Sequence, residues 1–377
     1  MKISVIIPVY REPRLLGDIV EKVLSYDWEE KEVLVVVDGT PTEEINKVLE
    51  RFVGLEEIKV IYNYARLGKV ESLNRAVDLC EGEEILFLDN DVELPSDKDF
   101  LKKLSESLGK GDIVEMSKEG RYTNFFSKIV SYDYLGGAIA SLISSKVFGK
   151  NLFLCGSAFA IRKKTFLELG KFPKVINEDW GLILKTFGTN SKFLYLTDLK
   201  VKTEVPQTLG EWINQRKRWS IGMRLWWIEV FKKIYLYFRS FPILFIVGAI
   251  FGIPLLVSVI TSVFIPNSEM LSVLLSLVVL VGQYLSPAFS VSLVGHLVTY
   301  ILLALKGVVS LLVSVFLNTL LFFVFSKILK FRFKVFEFVV YSTLYVPFLV
   351  SFYIVYGWLV SLFDRSNIDW VIFAEAE

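Results

Sequence analysis

Residues 32–39 read EVLVVVDG. The central run is apolar and mostly β-branched, which suits a strand buried on both faces of a parallel sheet. Three more runs share this character: ISVIIPVY (3–10), IKVIYN (58–63) and EILFLDND (84–91). Helix-patterned stretches separate them, at 13–26, 42–53 and 68–80. Strands alternating with helices of this length predict an α/β domain with a doubly wound, mostly parallel sheet. In such sheets ligands bind outside the carboxyl ends of the strands. Those ends carry Arg11 and Glu12, Asp38, Asn63, and Asp89 with Asp91. No G-x-G-x-x-G follows the first strand and no G-x-x-x-x-G-K-[ST] occurs, so the dinucleotide and P-loop fingerprints are missing.

Beyond this half the composition changes. The chain of 377 residues is 53% apolar, with a mean hydropathy of +0.49. Residues 1–240 carry most of the charge, and 241–363 hold few charged side chains. A polar domain followed by a membrane domain is expected. The net charge of +1 implies no strongly basic face and no nucleic-acid partner. Two cysteines, Cys80 and Cys155, make no disulfide framework and no metal-type spacing. His296 sits in an apolar segment and reads as a packing residue rather than a ligand. The opening MKISVIIPVY has too short an apolar run for a secretory leader.

Residues 121–150 are aromatic-rich with scattered lysines, and read either as a helix along a membrane surface or as an amphipathic cover over the sheet. In 222–240, Trp226, Trp227, Phe231, Tyr235 and Phe238 interleave with Arg224, Lys232, Lys233 and Arg239, as in an interfacial helix. Apolar stretches at 241–265, 270–287, 288–305, 307–329 and 336–363 give four or five spans, and 364–377 is a short tail. Basic clusters at 214–239 and 327–334 belong on the cytoplasmic side. The expectation is a multi-pass protein of the cell membrane whose 1–221 domain faces the cytoplasm.

Several stretches can carry chemistry. Asp89 and Asp91 are alternate residues at a strand end and can share a face. They read as hard ligands for Mg²⁺ or Mn²⁺, or as a polar turn. Asp38 ends the second run and can accept from a base or ribose, or merely start a turn. Arg66 and Lys69 precede a helix, where cations and backbone N–H groups suit phosphate. In INEDW, Glu178 or Asp179 can serve as a general base, or be the acidic first turn of a helix. In QRKRW (215–219), Gln215, Arg218 and Trp219 share one helix face with Trp212, more than a topology signal requires.

Together the pieces VIIPVYRE, VVDGT, GKVESLN, DND, CGSAFAIRK, NED and QRKRW, in this order over roughly residues 1–222, resemble the membrane-bound family 2 glycosyltransferases of the GT-A fold. That branch includes cellulose, hyaluronan and poly-N-acetylglucosamine synthases and ceramide glucosyltransferases. The resemblance implies an inverting transfer from a nucleotide sugar, a UDP-sugar first, to a polysaccharide or glycan. It makes Asp179 the catalytic base, and Asp89 and Asp91 the D-x-D pair holding Mg²⁺ or Mn²⁺. Asp38 would contact the base and Lys69 the donor phosphates. Gln215 and Arg218 would hold the diphosphate. Pro8, Tyr10, Glu12, Arg66 and Asn90 complete the donor-binding set. Glu178 and Trp219 would meet the acceptor. Relatives often have Asp-Asp before the glycine, where Val37 precedes Asp38 here. The alternatives are transfer of one sugar to a lipid, such as a polyprenyl phosphate or membrane glycolipid, and a non-enzymatic transporter or scaffold. The last would need intramembrane ionisable groups, and only His296 and Lys306 qualify.

Overall fold

A computed structural model describes residues 1–241 and 308–359. The four apolar runs form strands β1 (Ile3–Val9), β2 (Lys31–Val37), β3 (Ile58–Tyr62) and β4 (Glu84–Leu88). Helices α1 (Leu16–Leu24), α2 (Glu43–Leu49) and α3 (Lys69–Leu79) connect them. The Thr42 hydroxyl caps α2 by accepting from the Ile45 N–H at 3.3 Å. After α4 (Phe100–Leu108) come β5 (Ile113–Arg121), α5 (Phe125–Phe148), β6 (Ala158–Arg162), α6 (Lys163–Glu168), α7 (Glu178–Lys185) and β7 (Phe193–Glu204).

Among the described residues seven strands form one sheet in the order β3-β2-β1-β4-β6-β5-β7. The pairs among β1 to β4 are parallel, as is β5 with β7, whereas β6 runs antiparallel to β4 and to β5. The mostly parallel sheet is therefore as expected, and β6 is its one reversal. Central strands bury both faces: Val5, Ile6, Ile7, Val33, Leu34, Val35 and Val36 are fully buried. Each such side chain contributes about 1.5–3 kcal/mol relative to exposure. β3 departs from the expectation, because it is the edge strand and all its residues are half-buried.

The described chain falls into two compact units, 1–121 with 145–204, and 122–144 with 205–241 and 308–359. The second unit contains most of α5, and α8 (Leu209–Lys232), α9 (Ile234–Ser240), α10 (Val308–Ile328) and α11 (Val335–Leu359). Thr208 caps α8 by accepting from the Glu211 N–H at 3.2 Å, and Glu211 reaches back to the Gln207 N–H at 2.8 Å. α8 runs unbroken through residue 221, so Q-x-x-R-W and the aromatic–basic stretch share one helix as far as Lys232. Residues 121–150, left open between two readings, are largely the α5 helix. Tyr132 on α5 packs edge-on against Phe338 of α11 at 5.6 Å, and Phe322 of α10 lies on the same Phe338 ring at 4.6 Å.

Among the described residues α11 is the helix long and apolar enough to cross a membrane. Its 25 residues span about 38 Å at 1.5 Å each, against a hydrocarbon core of about 30 Å. Leu344, Phe348 and Trp358 stand exposed on it, which suits lipid better than water. The spans expected from 241 to 305 lie, beyond Phe241, outside the described residues, as do His296, Lys306 and the 364–377 tail.

Candidate active site

One small cavity of the first unit is lined by Pro8 of β1, Lys69 of α3, Asp89 after β4, Gly156 before β6, and Glu178 and Asp179 of α7. Five of the residues singled out from the sequence are thus brought together. The strand-end rule explains it, since β1 and β4 both deliver their carboxyl ends here. The Lys69 ammonium pairs with Asp89 Oδ1 at 2.7 Å and Glu178 Oε1 at 3.0 Å. Burial works against the charge on Lys69, but Asp89 and Glu178 outweigh it and hold its pKa above the ordinary lysine value.

Among the described residues Asp179 takes part in no ion pair as close. Its Oδ2 accepts the Gly156 N–H at 2.8 Å and its Oδ1 accepts the Trp180 N–H at 2.9 Å. A Cβ at position 156 would stand 2.7 Å from that Oδ2, so only glycine lets the backbone come this close. Burial, then the charge of Glu178, pushes the Asp179 carboxyl up to about 7, against the opposing pull of Lys69 and the two N–H groups. A carboxylate with a pKa near the working pH is suited to proton transfer.

The D-x-D pair needs a correction. β4 ends at Leu88, so Asp89 and Asp91 stand on a turn rather than on one face of an extended strand. Asp91 Oδ2 accepts from Arg14 at 3.4 Å, while its Oδ1 is buried without a hydrogen-bond partner. Burial, then Asp89, pushes Asp91 up to about 6, with Arg14 opposing. Among the described residues no group of three or more His, Cys, Asp or Glu side chains converges as a metal site. Two carboxylates, one with an orphaned buried oxygen, do fit a divalent cation whose other ligands are water and phosphate oxygens.

The remaining donor candidates of the first unit stand on the loops after β1, β2, β3 and β4. Tyr10 is flanked by the Arg11 and Arg66 guanidinium groups, 4.9 and 4.7 Å from its ring centroid. Asp38 accepts the Leu67 and Gly68 N–H groups at 2.8 and 3.0 Å and the Asn63 amide at 3.2 Å, so it pins the loop that carries Arg66. Asn90 donates to the Glu12 carbonyl at 2.7 Å and tethers the loop after β1. The Glu12 carboxylate lies 3.8 Å from Arg14. Gln215, Arg218 and Trp219 belong to α8 of the second unit, with Gln215 and Trp219 half-buried and Arg218 exposed.

The sequence pattern of Glycosyl transferase family 2 matches residues 4–170, and that of Glycosyl transferase family group 2 matches residues 107–362. The chain belongs to the family 2 glycosyltransferases. This glycosyltransferase is 24% identical over 257 residues to a poly-beta-1,6-N-acetyl-D-glucosamine synthase from Staphylococcus epidermidis, covering 63% of its own chain and 60% of the relative. It is also 24% identical over 234 residues to an N-acetylglucosaminyltransferase from Mesorhizobium japonicum, covering 58% and 55%. The chain thus spans little more than half the length of these curated relatives. Its fold is shared with a mannosyltransferase from Pyrobaculum calidifontis solved with GDP-Man and Mn²⁺, at a TM-score of 0.54 and 18% identity over 73% of this chain and 79% of that one. The GT-A fold expected from the sequence is borne out.

Arg14, Gly156 and Arg216 were not singled out from the sequence. Gly156 lies inside the CGSAFAIRK piece, which was its only signal. Arg14 acts through a fold-dependent approach to Asp91, which no local pattern announces.

Proposed function

We propose that this glycosyltransferase transfers a sugar from a nucleotide sugar, a UDP-sugar first, to a glycan acceptor by a single inverting displacement. The observation that carries the reading is the Asp179 carboxyl, pushed up to about 7 beside a lysine-bridged pair of carboxylates. Both relatives' names support N-acetylglucosamine as the sugar, and that of the poly-beta-1,6-N-acetyl-D-glucosamine synthase supports a glycan as acceptor.

Asp179 takes the proton of the acceptor hydroxyl as that oxygen attacks the anomeric carbon. The bond from that carbon to the diphosphate breaks, and its electron pair leaves with the nucleoside diphosphate. One base suffices, because the leaving group departs as an anion. The Gly156 and Trp180 N–H groups fix the carboxylate and keep its second lone pairs available. Lys69 sets its positive charge at the donor phosphates. Asp89 and Asp91 would hold Mg²⁺ or Mn²⁺, which when bound supplies charge neutralisation at the diphosphate. Tyr10 and Arg66, with Asp38 fixing the loop that carries Arg66, form the nucleoside side, alongside Pro8, Glu12 and Asn90. Glu178 belongs to the acceptor side. Gln215 and Arg218 for the diphosphate and Trp219 for the acceptor sugar rest on the Q-x-x-R-W motif. The 1–221 domain lies in the cytoplasm, 222–240 at the interface, and 241–363 is the multi-pass membrane domain.

A panel of radiolabelled nucleotide sugars, offered to native membranes containing the protein, tests this. Incorporation of label from a UDP-sugar into a polymeric or oligosaccharide product is expected. Label appearing only in a solvent-extractable polyprenyl phosphate or glycolipid would replace the acceptor class. No transfer from any donor would return the chain to a non-enzymatic role.

A further inference from the structure

The second unit buries a polar cluster that the reaction above leaves unused. Arg216, the second residue of QRKRW, is only 3% exposed. Its Nη2 pairs with Asp133 Oδ2 of α5 at 2.6 Å. The same guanidinium donates to the hydroxyls of Tyr345 and Tyr353 of α11 at 3.2 and 3.3 Å. Asp133 in turn accepts from the Tyr341 hydroxyl at 3.0 Å and the Tyr345 hydroxyl at 2.7 Å. The Trp212 indole N–H completes the set by donating to Tyr345 at 2.9 Å. Three helices therefore meet at one matched ion pair.

The backbone is arranged for this. α11 widens into π-helical turns at Tyr341–Tyr345 and Val355–Leu359. π-bulges recur at functional positions. The first brings the Tyr341 and Tyr345 rings into a stack, 5.4 Å apart, so both hydroxyls reach Asp133. The second places Gly357 where a Cβ would stand 3.0 Å from the Ser220 carbonyl oxygen, so α8 and α11 touch backbone to backbone. The guanidinium held at this crossing also lies over the Trp219 ring, 4.3 Å from its centroid.

We propose that Arg216 is the positioning residue of the Q-x-x-R-W helix: clamped by Asp133 and the membrane-helix tyrosines, its planar guanidinium fixes the Trp219 ring and so sets how well the acceptor sugar is held. The second half of this statement rests on the reading of Trp219 as the acceptor platform. A lysine cannot replace the arginine, because an ammonium has neither the fork that meets an acid and two hydroxyls nor a flat face for the indole.

The test uses the full chain in lipid nanodiscs, labelled with 5-fluorotryptophan. Eight tryptophans give eight fluorine lines, and the Trp219 line is the one lost in Trp219→Phe. Arg216→Lys and Asp133→Asn are expected to shift or broaden that line while the Trp180 line of the first unit stays in place. The acceptor KM should rise on the order of two- to fivefold, the scale of one cation–ring contact, with the donor KM unchanged. In the Trp219→Ala background Arg216→Lys should add nothing further. Should Arg216→Lys fail to fold, Tyr353→Phe, which removes one acceptor and keeps the packing, carries the same expectations. An unmoved Trp219 line in a folded variant, or an acceptor effect that adds fully to Trp219→Ala, overturns the proposal. A line that moves while Trp219→Ala leaves acceptor KM untouched upholds the positioning and removes the acceptor role of Trp219 instead.

Discussion

Lys69 in the first unit and Arg216 in the second are both cations set against inward-facing carboxylates, yet the charge around them balances differently. Lys69 meets Asp89 at 2.7 Å and Glu178 at 3.0 Å, and Asp179 also acts on its charge. One ammonium faces three acids. Among the described residues Arg216 pairs with one acid, Asp133, and donates through Nη1 and Nη2 to tyrosine hydroxyls, while its buried Nε has no hydrogen-bond partner. An excess of buried negative charge is unfavourable by itself and drives carboxyl pKa values upward, which is the condition a proton-transfer site needs. An ion pair matched one to one takes no further charge and acts as a fixed joint. Charge imbalance thus separates chemistry from positioning more sharply than burial does.

The hardest blow to this contrast should come from Asp179→Asn. The variant keeps size and one acceptor oxygen but cannot take a proton. Transfer is expected to fall by about 10²–10⁴-fold, while calorimetric affinity for the nucleoside diphosphate stays within a few-fold of the parent. The same loss in Glu178→Gln with none in Asp179→Asn would move the base to its neighbour. Retained transfer in both would favour an acceptor that arrives ionised, such as a polyprenyl phosphate.

Next in size is Asp91→Asn, which replaces the carboxylate whose Oδ1 has no partner. Affinity for Mn²⁺ in the presence of nucleoside diphosphate, read by electron paramagnetic resonance without any turnover, should drop on the order of 10–100-fold. EDTA should stop transfer by the parent, and Mg²⁺ or Mn²⁺ should restore it. Full activity in the chelator would remove the metal assignment.

A smaller effect sharpens the electrostatic side. Asp179 must be ionised to act, so log kcat should climb with pH and level off above about 7. Lys69 opposes the rise in the Asp179 pKa, so Lys69→Gln should move that limb to higher pH at saturating donor. A limb that stays in place would mean that the two groups do not sense each other during turnover. Arg216→Lys should leave the limb where it is.

The smallest effect is expected at Lys217, one residue beyond the joint. Its ammonium lies over the Tyr356 ring, 5.3 Å from the centroid, and takes no part in the Arg216–Asp133 pair. Lys217→Gln should leave kcat and both KM values near the parent's. A lethal Lys217→Gln beside a silent Trp219→Ala would break the motif reading altogether.

Much of the first unit is legible in the sequence because its information is local. A short β-branched apolar run such as 32–39 favours a buried strand, and β1, β2 and β4 appear within a few residues of expectation. Strands β5, β6 and β7 were not anticipated. β7 alternates buried with half-buried and exposed positions over twelve residues, and β6 reverses direction inside the sheet, so neither carries the parallel-strand signature. The same division holds within the sites. The residue types in DND, NED and QRKRW announce acid, base and cation by themselves. What those groups do depends on their partners across the chain. The tertiary structure alone turned Asp38 inward to two backbone N–H groups, set Lys69 between residues 89 and 178, and placed Asp133 against an arginine 83 positions away. Propensity and periodicity are properties of neighbours in sequence. A pKa, an orphaned oxygen or a matched ion pair is a property of neighbours in space, and only the folded chain supplies them.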